Sequence, residues 1–210
     1  MYSALSDAPQ KVTPQELEKD LARLPQWRRE KALAYRFHSD RVLCTESYLM
    51  LTGLLKLHYG IEGCPEFEYG PGGKPFLKDY PSIHFNLSHC RDGILCVVDD
   101  NPVGCDIECI ADKLDDSLCR ACLNDEEYLS VRSSSDPCAE FIRYWTIKES
   151  LLKYSGRGLT DSLPSLLADA GFDCGTDGIC TARCGTDTIN LRSVIQREKG
   201  FVWTVAGKQL

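Results

Sequence analysis

The chain has 210 residues, 43% of them apolar and 26% charged, enough apolar material to bury the core of one large domain or two small ones. Its formal charge of −7 leaves no overall lysine and arginine excess, which excludes a general nucleic-acid binder while leaving room for a local basic patch. No apolar stretch approaches the roughly 20 residues of a membrane helix. The N-terminal MYSALSDAPQKVTP lacks the charged start and apolar block of a targeting segment, so a soluble, cytoplasmic protein is expected.

In chain order, Thr13, Pro14 and Glu16 form a capping box with proline at the first helical position. They predict a helix through Leu17, Leu21 and Leu24 that Pro25 interrupts. Residues Trp27 to Tyr59 read as helix-rich, with a break at His38-Ser39-Asp40 and an apolar face (Leu43, Leu51, Leu54, Leu55) that stops at Gly60. Gly70 to Gly73 is a loop. From Ile83 the texture becomes β-prone: Ile83 to Leu87, Ile94 to Val98 and Val103 to Glu108, with Asp99 to Pro102 as a turn of the kind that joins antiparallel strands. Asn124 caps a short acidic helix through Leu129, and Asp136-Pro137 opens a longer one ending at Gly156. Strands return at Ile189 to Ile195 and Phe201 to Ala206, separated by a turn at Lys199-Gly200. The two halves share this order of elements without an internal sequence repeat.

Twelve cysteines in a chain without an export signal read as free thiols. Cys119 and Cys122, with Cys180 and Cys184 as the other half, are the alternative of a zinc site, though no histidine accompanies them.

Asp106 and Glu108 lie two apart on a predicted strand and project from one face, so they could share a cation; a solvated strand face has the same spacing. Trp145, Glu149 and Lys153 are four apart on the later helix, a stripe that either faces a cleft or decorates an exposed surface. Ser88 and His89 are neighbours on a strand, point to opposite faces, and so do not make a nucleophile and base pair. The loop Gly72-Gly73-Lys74-Pro75 could cradle a phosphate or purine through its N–H groups, but it lacks Walker spacing. Arg28, Arg29, Lys31, Arg36 and Arg41 are a basic cluster in an acidic chain, suited to a solvated helix or to a ligand with several phosphates.

In this order, GGKPFL (Gly72 to Leu77), FNLSH (Phe85 to His89), VGCDIE (Val103 to Glu108) and FIRYWTIKESLLK (Phe141 to Lys153) resemble the 4'-phosphopantetheinyl transferases of the surfactin-synthetase-activating type. The resemblance implies an α+β fold of two pseudo-symmetric halves, here residues 1–102 and 103–210, each a small antiparallel sheet packed with helices. It implies transfer of 4'-phosphopantetheine from coenzyme A to a serine of an acyl or peptidyl carrier protein, with magnesium in the cleft, in a monomer. Position by position, Asp106, Glu108 and Glu149 match the magnesium ligands, and Lys153 matches the lysine at the diphosphate and the departing group. Glu149 is then the expected base. Ser88 and His89 match phosphate contacts, Gly73, Lys74 and Pro75 the adenine-side loop, and Arg28, Lys31 and Arg41 the positions at the 3'-phosphate. Two alternatives remain open: a non-catalytic coenzyme A or carrier-protein binding module, and a magnesium-dependent nuclease or phosphatase, which would need a broader basic surface.

Overall fold

The fold was analysed in a computed structural model, which describes residues 1–156, 163–166, 178–184 and 187–210. Two antiparallel sheets carry the chain. The first has the order β1 (Tyr2–Ser6), β5 (Gly93–Asp99), β4 (His84–Cys90); the second runs β6 (Val103–Cys109), β9 (Phe201–Gly207), β8 (Asp187–Gln196), β7 (Ile179–Cys184). A short hairpin, β2 (Phe67–Tyr69) and β3 (Pro75–Leu77), stands apart.

Helices α1 (Pro14–Leu21), α2 (Gln26–Leu33) and α3 (His38–Tyr59) accompany the first sheet, and α4 (Asp116–Cys122), α5 (Asp125–Ser133) and α6 (Pro137–Ser155) the second. The α+β architecture read from the sequence is the one observed. Leu51, Leu54 and Leu55 of α3 pack on Phe85, Cys96 and Val98. Ile142, Ile147 and Leu151 of α6 pack with Ile189, Leu191 and Val202.

The caps form as the sequence requires. Thr13 and Glu16 exchange both bonds of a capping box, Asn124 and Glu127 do the same at α5, and the Asp136 carboxylate accepts from the Ala139 N–H at 3.1 Å to open α6. Helices α3 and α6 both end on a glycine in the left-handed region, Gly60 at φ 66° and Gly156 at φ 67°.

Three expectations need correction. Helix α1 closes at Leu21, and Leu24 reaches the core from the turn that follows, where its N–H donates to the Leu21 carbonyl. His38 to Asp40 does not break a helix but begins one, because the interruption lies in the residues just before, with Phe37 extended as the N-cap of α3. Asp99 to Pro102 does not close a hairpin: β5 pairs with β4 and β1 while β6 pairs with β9, so this turn hands the chain from one sheet to the other. Strands β1, β2, β3 and β7 and helix α4 carried no signal strong enough to be read.

The two sheets meet between β4 and β6. There the Asn86 side-chain carbonyl accepts from the Cys105 N–H at 2.9 Å, and Leu95 and Val97 share a core with Cys105, Ile107 and Phe201. Cys105 and Ile107 point into that core, so the alternate residues Gly104, Asp106 and Glu108 lie on the other face of β6.

Glycine at 104 lets the strand sit directly against α6. A Cβ there would come within 2.0 Å of the Ser150 carbonyl oxygen and 2.5 Å of the Tyr154 nitrogen. Because both obstacles are backbone, Gly104→Ala should drive β6 and α6 apart and cost at least about 2 kcal/mol by overpacking. Urea unfolding checks this, and a midpoint equal to that of the parent chain would show that the contact is soft.

Candidate active site

Three cavities meet at Leu87 of β4. One, of about 320 Å³, lies between the loop Gly72 to Pro75 and the last turns of α6, with Glu149 and Lys153 in its wall. A second, of about 400 Å³, is walled by Ser88, His89, Asp106, Glu108, Trp145, Glu149 and Lys153. The third, of about 230 Å³, is lined by Arg28, Lys31, Tyr35 and Asp40, with His89 between it and the second. The strand face and the helix stripe that the sequence singled out thus confront each other.

Asp106 is the pivot. Only 2% of it is exposed, its Oδ1 accepts from the Lys153 ammonium at 2.6 Å and from the Ser88 hydroxyl at 2.8 Å, and Lys153 also donates to Ser88 Oγ at 3.0 Å. The other carboxylate oxygen, Oδ2, is buried without a hydrogen-bond partner. A buried carboxylate oxygen left unpaired costs on the order of 1–3 kcal/mol, so its retention asks for a ligand or a role.

The neighbouring carboxylates feel this charge. Burial, reinforced by Asp106 and by Glu149 and opposed by Lys153, pushes Glu108 up to about 7. Burial and then Asp106 raise Glu149, again against Lys153. Burial lowers Lys153, but the charge and hydrogen bond of Asp106 outweigh it and the ammonium is held above its ordinary value.

A pH test follows from Glu108. Its folded value lies above the unfolded one, so between about 4.5 and 7 the native state holds more protons, and this group makes stability fall as pH rises through that window. The side chain keeps some contact with water, which reduces the full-shift value to about 1–2 kcal/mol. Burial lowers His84 and His89 and works in the opposite direction, so the measurement is the difference between the parent chain and Glu108→Gln in chelator. The parent should lose stability relative to the variant from pH 5 to pH 8. A constant difference would refute the raised Glu108.

In the basic cavity, Arg28 is 6% exposed, with its guanidinium over the Tyr48 ring at 5.1 Å and its Nη2 donating to the Cys44 carbonyl at 2.9 Å. Its Nε is buried without a partner. Lys31 is exposed at the rim. Arg41 is not itself in this lining, but its Nε donates at 2.8 Å to the carbonyl of Tyr35, which is. Ser88 and His89 diverge as strand neighbours must: the hydroxyl goes to Asp106 and the imidazole to the junction with the basic cavity, where burial lowers it.

Gly73, at φ 78°, closes a turn in which its N–H donates to the Gly70 carbonyl at 2.9 Å. Lys74 leaves that turn with its ammonium on the carbonyls of Val103 (2.7 Å) and Tyr154 (3.4 Å), and Pro75 begins β3 beside it.

In the sequence Asn86 and Lys148 stand out only as polar residues in apolar runs; that Asn86 links β4 to β6 and that Lys148 is buried on Glu127 could not be read from it. A glycine two residues before an acidic strand residue was the available signal for the close approach at Gly104.

Cys119, Cys122 and Cys180 fill one apolar cluster, and burial raises the first two thiols. Among the described residues every cysteine is a free thiol, and no three His, Cys, Asp or Glu side chains are drawn together as a ready-made metal centre. Cys174 lies outside the described residues.

Residues 102–206 match the family model of the 4'-phosphopantetheinyl transferase superfamily. The 4'-phosphopantetheinyl transferase psf-1 of Bacillus pumilus is 38% identical over 109 residues, covering 51% of this chain and 46% of that protein. The transferase Sfp of Bacillus subtilis is 25% identical over 168 residues, 79% of this chain and 74% of that protein. AcpT of Salmonella typhimurium is 33% identical over 151 residues, 67% and 72% of the two. The matched chain thus spans less than half the length of the first of these relatives.

Proposed function

Because the chain belongs to the 4'-phosphopantetheinyl transferase superfamily, we propose that it transfers 4'-phosphopantetheine from coenzyme A to a serine of an acyl or peptidyl carrier protein, releasing 3',5'-bisphosphoadenosine. One observation carries the reading: a basic cavity, an acidic one and a glycine loop meet at Leu87, so one bent nucleotide can touch all three. In this reading residues 1–102 hold the nucleotide end and residues 103–210 the reacting end, in a cytoplasmic monomer.

Arg28 and Lys31 bind the 3'-phosphate, the unpartnered Arg28 Nε offering a free donor, while residues 73–75 border the adenine. His89 and Ser88 lie beside the diphosphate. Magnesium fits the donor set, since Asp106, Glu108 and Glu149 supply only hard oxygens and the unpaired Asp106 Oδ2 is an acceptor in want of a partner. When bound there it would neutralise charge on the diphosphate.

The carrier serine oxygen forms a bond to the β-phosphorus of coenzyme A as the bond from that phosphorus to the bridging oxygen breaks. Glu149, whose carboxyl burial and Asp106 raise above its ordinary value, takes the serine proton. Lys153 stabilises the charge that collects on the departing phosphate, and its tie to Asp106 keeps it protonated for that task.

The test is intact-mass spectrometry of several apo carrier proteins incubated with the chain, coenzyme A and magnesium, with a chelator control. A metal-dependent gain of one phosphopantetheinyl group supports the proposal. Nucleotide binding with no gain on any carrier would leave a binding module instead.

A further inference from the structure

The Lys74 side chain has a use that the cavity description leaves unexplained. It stands in the loop that borders the proposed adenine site, yet its ammonium turns away from solvent to the Val103 carbonyl at 2.7 Å and the Tyr154 carbonyl at 3.4 Å. Val103 begins β6, the strand of Asp106 and Glu108, and Tyr154 follows Lys153 on α6. The methylenes of Lys74 run past Gly156, where a built Cβ would lie 3.5 Å from Lys74 Cδ. Gly156 is needed for its left-handed φ, while a Cβ there would make only ordinary van der Waals contact with the lysine stem.

We infer that Lys74 is a positioning residue: its ammonium clamps the loop of residues 70–75 onto β6 and α6, fixing the nucleotide loop relative to the reacting groups rather than acting on the ligand. An ammonium has three donors, and two are committed to these carbonyls. Within the loop, the Gly70 N–H donates to the Lys74 carbonyl at 3.0 Å and the Gly73 N–H to the Gly70 carbonyl, so both bonds of the turn depend on the backbone that the Lys74 side chain holds in place. Among the described residues, this side chain supplies the hydrogen bonds that tie that turn to β6 and α6.

Burial also makes the clamp sensitive to pH. It lowers Lys74 to about 8 against a small opposing pull from Cys105 of β6. The other ionisable groups around it are His84 of β4, which lines a neighbouring cavity, and Glu149 and Lys153 of α6 across the loop cavity. Above pH 8 a neutral amine holds the carbonyls far less strongly, so the loop should loosen as pH rises through that value.

The first experiment needs no ligand. Hydrogen exchange of the Gly70 and Gly73 amides, corrected for intrinsic rates, is followed in the parent chain, Lys74→Met and Lys74→Arg at pH 7 and pH 9. Methionine keeps the apolar stem and removes the charge; arginine keeps a charge that does not titrate. Exchange at pH 7 should rise about tenfold in Lys74→Met, with the Ile107 amide unchanged. The parent should approach that rate at pH 9, and Lys74→Arg should not. Equal loop exchange in the parent and Lys74→Met overturns the inference.

The second experiment rests on the reading of the nucleotide site given above. It measures calorimetric affinity for 3',5'-bisphosphoadenosine, whose phosphates, with second pKa values of about 6, are almost wholly doubly charged by pH 7. Lys74→Met should bind about tenfold more weakly at pH 7, and Lys74→Arg within about threefold of the parent. Turnover followed against coenzyme A concentration should show a larger rise in KM than fall in kcat, because the loop borders the nucleotide and reaches the reacting groups only through it. A looser loop with unchanged affinity refutes the positioning role. A parent chain that binds no nucleotide, with loop exchange still raised in Lys74→Met, leaves the clamp standing and removes the proposed function.

Discussion

Glu149→Gln should lower the rate of carrier modification by about 10²- to 10⁴-fold while changing the affinity for 3',5'-bisphosphoadenosine only a few-fold. Glutamine preserves the shape of the side chain beside Leu87 and Lys153, so both cavities that Glu149 lines keep their form. It removes the group proposed to take the serine proton, a carboxylate raised by burial and by Asp106. The variant also relieves repulsion, since Glu108 is raised in part by Glu149. Its melting temperature in chelator should therefore equal or exceed that of the parent. Losing turnover at full stability and near-full affinity is the signature of a group that acts in the step, as its base or as a holder of the magnesium. A parallel fall in nucleotide affinity and turnover would mean that Glu149 serves to shape the pocket, and a rate within threefold of the parent would mean that another group takes the proton.

Much of this site was legible because it obeys two periodicities. Asp106 and Glu108 share a strand face and Glu149 and Lys153 a helix stripe, and both arrangements follow from backbone geometry alone. What no period could reveal is that the strand face and the helix stripe oppose each other, which depends on the absent side chain of Gly104. The helix boundaries near Thr13, Asn124 and Gly156 were legible for the same local reason, since each cap bonds within three or four residues.

The misread turn at Asp99 to Pro102 shows the limit. Hairpin chemistry and a crossover between sheets look alike in sequence, and the choice is made by long-range pairing of β6 with β9. For the site, Arg41 belongs with Arg28 and Lys31 by the resemblance alone, and what the sequence could not show is that its Nε donates to the carbonyl of Tyr35, a residue of the basic cavity. Short edge strands such as β1 and β7 gain their order from the neighbours they pair with, so their own residues say little.

The largest effect on stability is expected at Lys148, which sits next to Glu149 and does the opposite job. It is 1% exposed, and its three donors are all used, on Glu127 Oε2 at 2.6 Å, the Leu163 carbonyl at 2.8 Å and the Cys122 carbonyl at 2.9 Å. Burial lowers Lys148 while Glu127 opposes the shift, so the ammonium depends on that carboxylate. These bonds tie α6 to α4, α5 and the segment after the helix, and so fix the rotation that aims Glu149 and Lys153 at β6.

Lys148→Met should cost about 3–5 kcal/mol, chiefly because the Glu127 carboxylate is left buried without its counter-charge. For a chain of this size that corresponds to roughly 10 °C in Tm. Adding Glu127→Gln should restore a good part of the loss, because glutamine can keep the capping bond from the Asn124 N–H and carries no charge to strand. Urea titration of both single variants and the double variant closes the cycle. If Lys148→Met costs less than about 1 kcal/mol, water must reach the pair and α6 is held by its apolar face alone. If the double variant is as unstable as the sum of the single ones, the carbonyls of Cys122 and Leu163, and not the ion pair, are what the ammonium chiefly serves.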